Sequence, residues 1–400
     1  MEKDFPFDYD YLEETMLQLL AIPSPVGFTD AVARYTAGQL EAMNIPYEMT
    51  RRGAIRATLK GEQPRPARAI VAHLDTLGAM VREIKSNGRL GIVPIGHWSS
   101  RFAEGGRLTV FTDKGQVRGT CLPLKTSGHA FGPEIDTQPS SWDHVEVRVD
   151  VPARTAMDLE AAGLRVGDTI AFDPQPEICQ NGYIVSRYLD DKAAVAALLT
   201  ACKAVQDGKL VPPVDVHPLF TITEEVGSGA SAALHGDIAE MLSLDIAIAA
   251  PGQNTDEHAV TICMQDMSGP FDYHLTRKLI GIAEKYNISH RRDVFRFYRS
   301  DSAAAVEAGN DIRTALIGFG ADASHAYERT HRRALSALTR LTTYYLMSKP
   351  VARRDEQRMA SVDGFTEQVS PEDMVLPSTP LPVPGDFLAH DPKAGGGEPD

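Results

Sequence analysis

The sequence predicts an α/β chain: a mostly parallel sheet covered by helices, with an inserted small β domain. Two textures carry that reading. From about residue 183 onward, strand-like apolar runs alternate with runs of helical spacing, the pattern of parallel strands joined by crossover helices. Residues from about 79 to 168 instead alternate over short stretches, with one helical run, "RTAMDLEAAGL", near their end. Four hundred residues with 43% apolar content can bury a large core, and that length suits two domains or one with an insertion.

In chain order, the stretch from Tyr9 to about Met43 has helical spacing, broken at "IPSPVG". There Pro23, Pro25 and Gly27 force a turn before Thr29 caps a second helix. "AIRATLKG" and "ARAIVAHLD" follow as strands. Within the insertion, "LGIVPIG", "RLTVFTDKGQVRGTCL" (a hairpin turning at "DKG") and "HVEVRVDV" predict a small sheet or barrel. Then come a helix at "DDKAAVAALLTACKAV", a strand at "VHPLFTIT", a helix start at "SGASAAL" and a strand at "DIAIAA". A helix at "YHLTRKLIGIAEKY", a strand at "IRTALIGFG" and a helix at "ALSALTRLTTYYLM" complete the series. Residues 1–78 and 169–349 are thus read as one discontinuous α/β domain, and 79–168 as the insertion. Residues 350–400 form a tail so dense in Pro, Gly and acid that it is expected to be flexible.

The formal charge of −14 argues against a nucleic-acid partner, because phosphate binding needs concentrated Lys and Arg. The acidic start "MEKDFPFDYDYLEE" lacks a secretion signal, and no apolar run reaches membrane-spanning length, so a cytoplasmic chain without a membrane partner is expected. Cys121, Cys179, Cys202 and Cys263 show none of the short spacings of a zinc knuckle or redox pair and are read as reduced thiols.

Chemistry is concentrated at strand ends. His73 and Asp75 close one strand, Asp190 and Asp191 open a helix, Glu224 and Glu225 follow "VHPLFTIT", and His325 follows "ALIGFGADAS". The carboxyl ends of strands in an open α/β sheet line one crevice, so these remote segments can meet. Taken singly, each has a structural reading. His73 would be a hydrogen-bonded residue, the two aspartates helix caps, and the glutamates a solvated pair. His97, His129, His217 and His258 are isolated and read as structural. Gathered together, so many carboxylates repel one another unless divalent cations neutralise them, and imidazole with carboxylate oxygen is the ligand chemistry of zinc and its neighbours.

The ordered set "AHLDTLG", "YLDDKAA", "TITEEVGSGA" and "ASHAYE", with a β insertion between the first two, resembles the dinuclear-metal family of tetrahedral, glutamyl and deblocking aminopeptidases. The likeness runs over roughly residues 10–348 and includes "GLRVGDTIAFDP", where the chain leaves the insertion. "GPFDYHLTRKL" and "DVFRFYRSDSAAAVEAGNDIRTAL" are most like a branch encoded beside synthesis genes for the osmolyte N-acetylglutaminylglutamine amide.

The resemblance implies a phosphorylase/hydrolase-like aminopeptidase fold and two divalent ions per chain, zinc first, with cobalt or manganese as alternatives. It also implies a homo-oligomer, dimer-based and up to a dodecamer, in which the inserted domain serves as an assembly or lid element. Residue by residue, it implies that His73 binds one metal and that Asp75 orients its imidazole. Asp190 bridges the metals with Asp191 capping the helix beside it, and Glu225 and His325 hold the second. Glu224 is the general base toward a metal-bridged water. A further aspartate ligand is expected at the end of "LDIAIAAPGQNTDEH", where the pattern falls on Pro251; Glu257 is the expected replacement, with Asp256 second. Tyr298 and Arg299 stand where a small turn would precede Asp301, so these three are substrate-pocket candidates, and His331 is the fallback for His325. The implied activity is removal of N-terminal residues from short peptides. An amidohydrolase acting on an N-acylated glutaminylglutamine amide and a non-catalytic binding member are the alternatives.

Overall fold

The computed structural model describes residues 5–234 and 238–368. Four parallel strands form the centre of a large mixed sheet, in the spatial order Val214–Thr221, Gln63–His73, Ile238–Ile248 and Arg313–Asp322. All eight residues of Val214–Thr221 are buried. Because successive side chains point to opposite faces, both faces of that strand are covered. Helices Leu189–Asp207 and Arg332–Leu346 pack on the strands, Tyr9–Ala21 packs on Leu189–Asp207, and their leucines and alanines join the main core.

Antiparallel strands flank this centre. Tyr47–Met49 and Ile55–Ala57 lie on one side, and Glu328–His331, Tyr183–Ser186 and Glu177–Ile178 on the other. Val260–Asp266 also pairs with Arg313–Asp322 and carries His290–Val294 beside it. Several of these strands escaped the sequence reading, for a physical reason. "ERTH" and "HRRDV" are short and charged, and their pairing depends on the neighbour they meet more than on their own apolar pattern.

The insertion is a closed barrel of six strands running from Gly78–Ile84 to Thr169–Phe172, around its own core of Val81, Ile92, Val110, Val147 and Ile170. The expected hairpin is present, with Arg107–Thr112 paired to Gly115–Pro123 around Asp113 and Lys114. Thr155 and Asp158 form a capping box on the barrel's helix Ala156–Ala161.

One expected helix is absent among the described residues. "SGASAAL" makes a single tight turn at Ala230–Ala232, because Gly229 and the Ala230 amide are drawn against the Asp301 carboxylate. Of the tail expected to be flexible, residues 369–400 lie outside the described residues, while Asp355 is held by Arg313 at 2.7 Å. All four cysteines are free. No helix among the described residues is long and apolar enough to cross a membrane.

Candidate metal centre

Strand register brings the polar residues together. His73 ends its strand level with Thr221 on one neighbour, and Glu224 and Glu225 follow three and four residues after Thr221. On the other neighbour Ser243 faces Val71, so Asp245 and His73 both lie two residues further on and share a face. His325 comes from the turn after Arg313–Asp322. The donor atoms form two triads, His73 with Asp190 and Asp245, and Asp190 with Glu225 and His325, each within 4.8 Å of one another. Asp190 belongs to both. One of its oxygens is 3.1 Å from His73 Nε2 and the other 3.5 Å from His325 Nε2, which is itself 3.6 Å from Glu225.

Both imidazoles are aimed by backbone carbonyls. His73 Nδ1 donates to the Asp75 carbonyl at 2.9 Å and His325 Nδ1 to the His97 carbonyl at 2.6 Å, leaving each Nε2 free to face the shared carboxylates. Asp75 thus meets the His73 ring through its main chain and not through its carboxylate. Its carboxylate is 3.8 Å from His73 Nδ1, beyond hydrogen-bond reach, and instead accepts the backbone N–H groups of Glu224 at 3.2 Å and Glu225 at 3.1 Å. Asp75 lies two residues on, past the end of the strand, where its carbonyl faces the ring and its carboxylate faces the Glu224–Glu225 turn. Asp191 also differs from expectation. It is fully buried and non-helical, and its Oδ2 accepts the His73 amide at 3.1 Å instead of capping the helix.

Asp245, rather than Glu257, stands with His73 and Asp190 in the structure. This residue occupies the middle of "SLDIAIAA" and completes the triad that Glu257 was expected to complete. Glu257 is engaged bidentately by Arg329 at 2.8 and 2.9 Å, and Asp256 by Arg291 and His258. His331 caps its helix and hydrogen-bonds the Asn181 carbonyl, so the fallback for His325 has a structural task. Among the pocket candidates, the Tyr298 hydroxyl donates to the Ile246 carbonyl at 3.0 Å, beside Asp245. Arg299 pairs with Glu307 at 2.7 Å near the surface. Asp301 points inward, accepting from Thr221 Oγ1 at 2.6 Å and from the Ala230 amide.

Charge decides what this cluster can hold. Burial pushes the Glu225 carboxyl up to about 8, and the neighbouring Asp190 and Asp75 charges push the same way against the two histidines. Burial likewise drives Asp245, Asp191 and Glu224 well above the ordinary carboxylate range, with repulsion from other acids adding to it. His325 is raised to about 11 despite burial, through Asp190 and Glu225. Asp190 is the exception: burial opposes its ionisation, yet the hydrogen bonds from His325 and His73 hold it low. Glu225 Oε1 and Asp191 Oδ1 are buried without a hydrogen-bond partner, a costly state for a carboxylate that a cation would relieve. Two imidazole nitrogens with carboxylate oxygens, one carboxylate shared, fit a pair of divalent ions.

Sequence reasoning missed Asp245, Glu328 and the role of the His97 carbonyl. Asp245 had a visible signal, a lone acid inside an apolar strand. A backbone carbonyl such as that of His97 leaves no mark in a sequence.

The family model described as M42 glutamyl aminopeptidase matches residues 53–341. A Bacillus subtilis (strain 168) relative, YhfE, which carries a provisional aminopeptidase name, is 39% identical over 339 residues, 84% of this chain and 98% of its own. Among solved structures, aminopeptidase APDkam598 from the archaeon Desulfurococcus kamchatkensis superposes with a TM-score of 0.78 at 22% identity, over 88% of this chain and 99% of that one. The TET1 peptidase of Pyrococcus horikoshii, described as assembling into a tetrahedron or a large octahedral shell, gives 0.75 at 22% identity over 84% and 100%. At such identities the structural likeness speaks for the fold.

Proposed function

Starting from the premise that this chain belongs to the M42 glutamyl aminopeptidase family, we propose that it is a two-metal aminopeptidase that releases N-terminal residues from short peptides with Glu224 as general base. The observation that carries this reading is the sharing of Asp190 between two donor triads, with Glu224 Oε2 3.8 Å from His73 Nε2 at their edge. His73, Asp190 and Asp245 would hold one ion, and Asp190, Glu225 and His325 the other. Divalent ions, zinc first and cobalt or manganese as alternatives, supply Lewis acidity toward water and the scissile carbonyl when bound.

The remaining work belongs to the protein. Glu224 takes the proton of the attacking water and hands it to the departing amine nitrogen, a task suited to a carboxyl whose proton affinity is raised by burial. Asp75 fixes the peptide units of Glu224 and Glu225, so that base and ligand keep their relative positions. The assemblies of structural neighbours, a PhTET1-12s dodecamer and the Pyrococcus horikoshii tetrahedron or octahedral shell, support a homo-oligomer here too, dimer-based and up to a dodecamer, with the barrel as a contact element.

Chelation followed by add-back of zinc, cobalt or manganese should abolish and restore hydrolysis of aminoacyl anilides. Glu224→Gln should lower kcat by about 10²- to 10⁴-fold while retaining its ions. Normal turnover in that variant would refute the base assignment. Preferential cleavage of N-acetylglutaminylglutamine amide over free-amine peptides would favour a deacylase.

A further inference from the structure

We propose that Glu328 is a positioning residue that sets the second metal position by locking the backbone of both Asp190 and His325. This inference rests on the two-ion reading and concerns a residue that touches neither substrate nor ion. Glu328 is 2% exposed and opens the short strand Glu328–His331, where it pairs with Ser186, four residues before Asp190. Its Oε2 accepts the Asp190 N–H at 3.0 Å, and its Oε1 accepts the His325 N–H at 3.1 Å. One carboxylate thus spans two segments 135 residues apart in sequence and fastens the peptide unit of each.

Both segments need fastening. His325 has φ +65°, a left-handed conformation unfavourable for a residue with a Cβ, and Tyr188, two residues before Asp190, has φ +66°. Asp190 itself is non-helical within the first turn of Leu189–Asp207. Such backbone persists only when its surroundings over-determine it. His325 reaches the centre from this turn, its ring held at the far nitrogen by the His97 carbonyl, so a rotation of the turn would carry Nε2 away from Glu225 and Asp190.

The same device recurs around the centre: Asp191 grips the His73 amide, and Asp75 grips those of Glu224 and Glu225. Glu328 alone in this set joins two ligand-bearing segments of the same triad. A carboxylate suits the task, having two acceptor oxygens and no donor. Glutamine keeps the length but replaces one acceptor with an NH₂ group that faces an amide N–H, so one of the two grips must fail.

The test uses the full-length chain, stripped with chelator and reloaded with cobalt, with ion content measured by elemental analysis and site geometry by the cobalt visible spectrum. The wild-type protein should hold two ions. Glu328→Gln should release its second ion to chelator at least about tenfold faster and show an altered cobalt spectrum. Its kcat should fall about 10- to 100-fold with KM changed less than about threefold, while the metal-free proteins melt at similar temperatures. Glu328→Asp keeps the charge and both acceptors on a stem one carbon shorter, and should give intermediate release. It carries the test if the glutamine variant does not fold. Release as slow as wild type with an unchanged spectrum, in either variant, overturns the proposal. Fewer than two ions in the wild-type protein would remove the two-ion reading, and this inference with it.

Discussion

The carboxylate of Asp75 holds the backbone of Glu225, Oδ2 accepting its N–H at 3.1 Å, while the carbonyl of the same aspartate accepts His73 Nδ1 at 2.9 Å. One residue thereby couples a member of each donor triad, His73 and Glu225, through its main chain and its side chain. Asparagine retains one acceptor oxygen and must release either Glu224 or Glu225. Asp75→Asn should therefore lower kcat about 10- to 100-fold, since small displacements of reacting groups are costly, with KM within about threefold and both ions kept. The check is steady-state kinetics beside elemental analysis. A variant as active as wild type would show that the Glu224–Glu225 turn holds itself.

Asp245 and Glu257 offer a direct contrast. Asp245→Ala should leave about one tightly bound ion per chain, because three protein donors are needed at each position of a two-ion site. Glu257→Gln removes only an Arg329 pair near the surface, so ion content and activity should stay within about twofold, and stability within about 1 kcal/mol. Ion analysis after dialysis decides between them, and the reverse ranking would reinstate Glu257 as the ligand.

Metal affinity should rise with pH. Glu225, raised to about 8 by burial, keeps its proton below that pH in the metal-free protein, and His325, raised to about 11, keeps one across the whole neutral range. A cation must displace these protons, so each contributes about a tenfold gain in affinity per pH unit below its own pKa. Competition titration with a chromophoric chelator between about pH 6 and pH 8 should show the dissociation constant falling steeply. A flat profile would mean that the ligands are already deprotonated.

Far from the centre, Arg68 and Glu240 pair at 3.1 Å with both side chains nearly inaccessible, and the Tyr345 hydroxyl donates to Glu240 at 2.8 Å. Glu240→Gln leaves a buried guanidinium uncompensated and should cost about 3–5 kcal/mol. Burial opposes Glu240's ionisation, but the Arg68 and Lys278 charges outweigh it and hold the carboxyl below 4.5. A depressed native value means that this group's contribution is present above the unfolded value and lost as pH falls through the native one. Urea unfolding at descending pH should show the two proteins converging in acid; a constant gap would deny the pair its charge.

Much of the centre was legible beforehand. His73, Glu225 and His325 follow strand-like apolar runs and Asp190 opens a helical one, and the structure gathers all four. The Glu257 expectation looked past the end of "DIAIAA", whereas the acid that stands with His73 and Asp190 lies inside the strand. Asp191 looked like a cap because aspartate at a helix start usually is one; only the approach of the His73 amide shows another use.

The sequence by itself determined the α/β alternation, the inserted β domain and which acids and histidines stand at element ends, because periodicity and residue chemistry are local properties. The tertiary structure alone decided that Asp245 stands level with His73, that the Asp75 carboxylate holds the Glu224 and Glu225 amides, that the His97 carbonyl reaches His325 and that the Glu328 carboxylate reaches Asp190. Those facts follow from strand register and from contacts between segments more than a hundred residues apart. Such contacts are chosen by packing of the whole chain and leave no periodic trace in any one stretch of it.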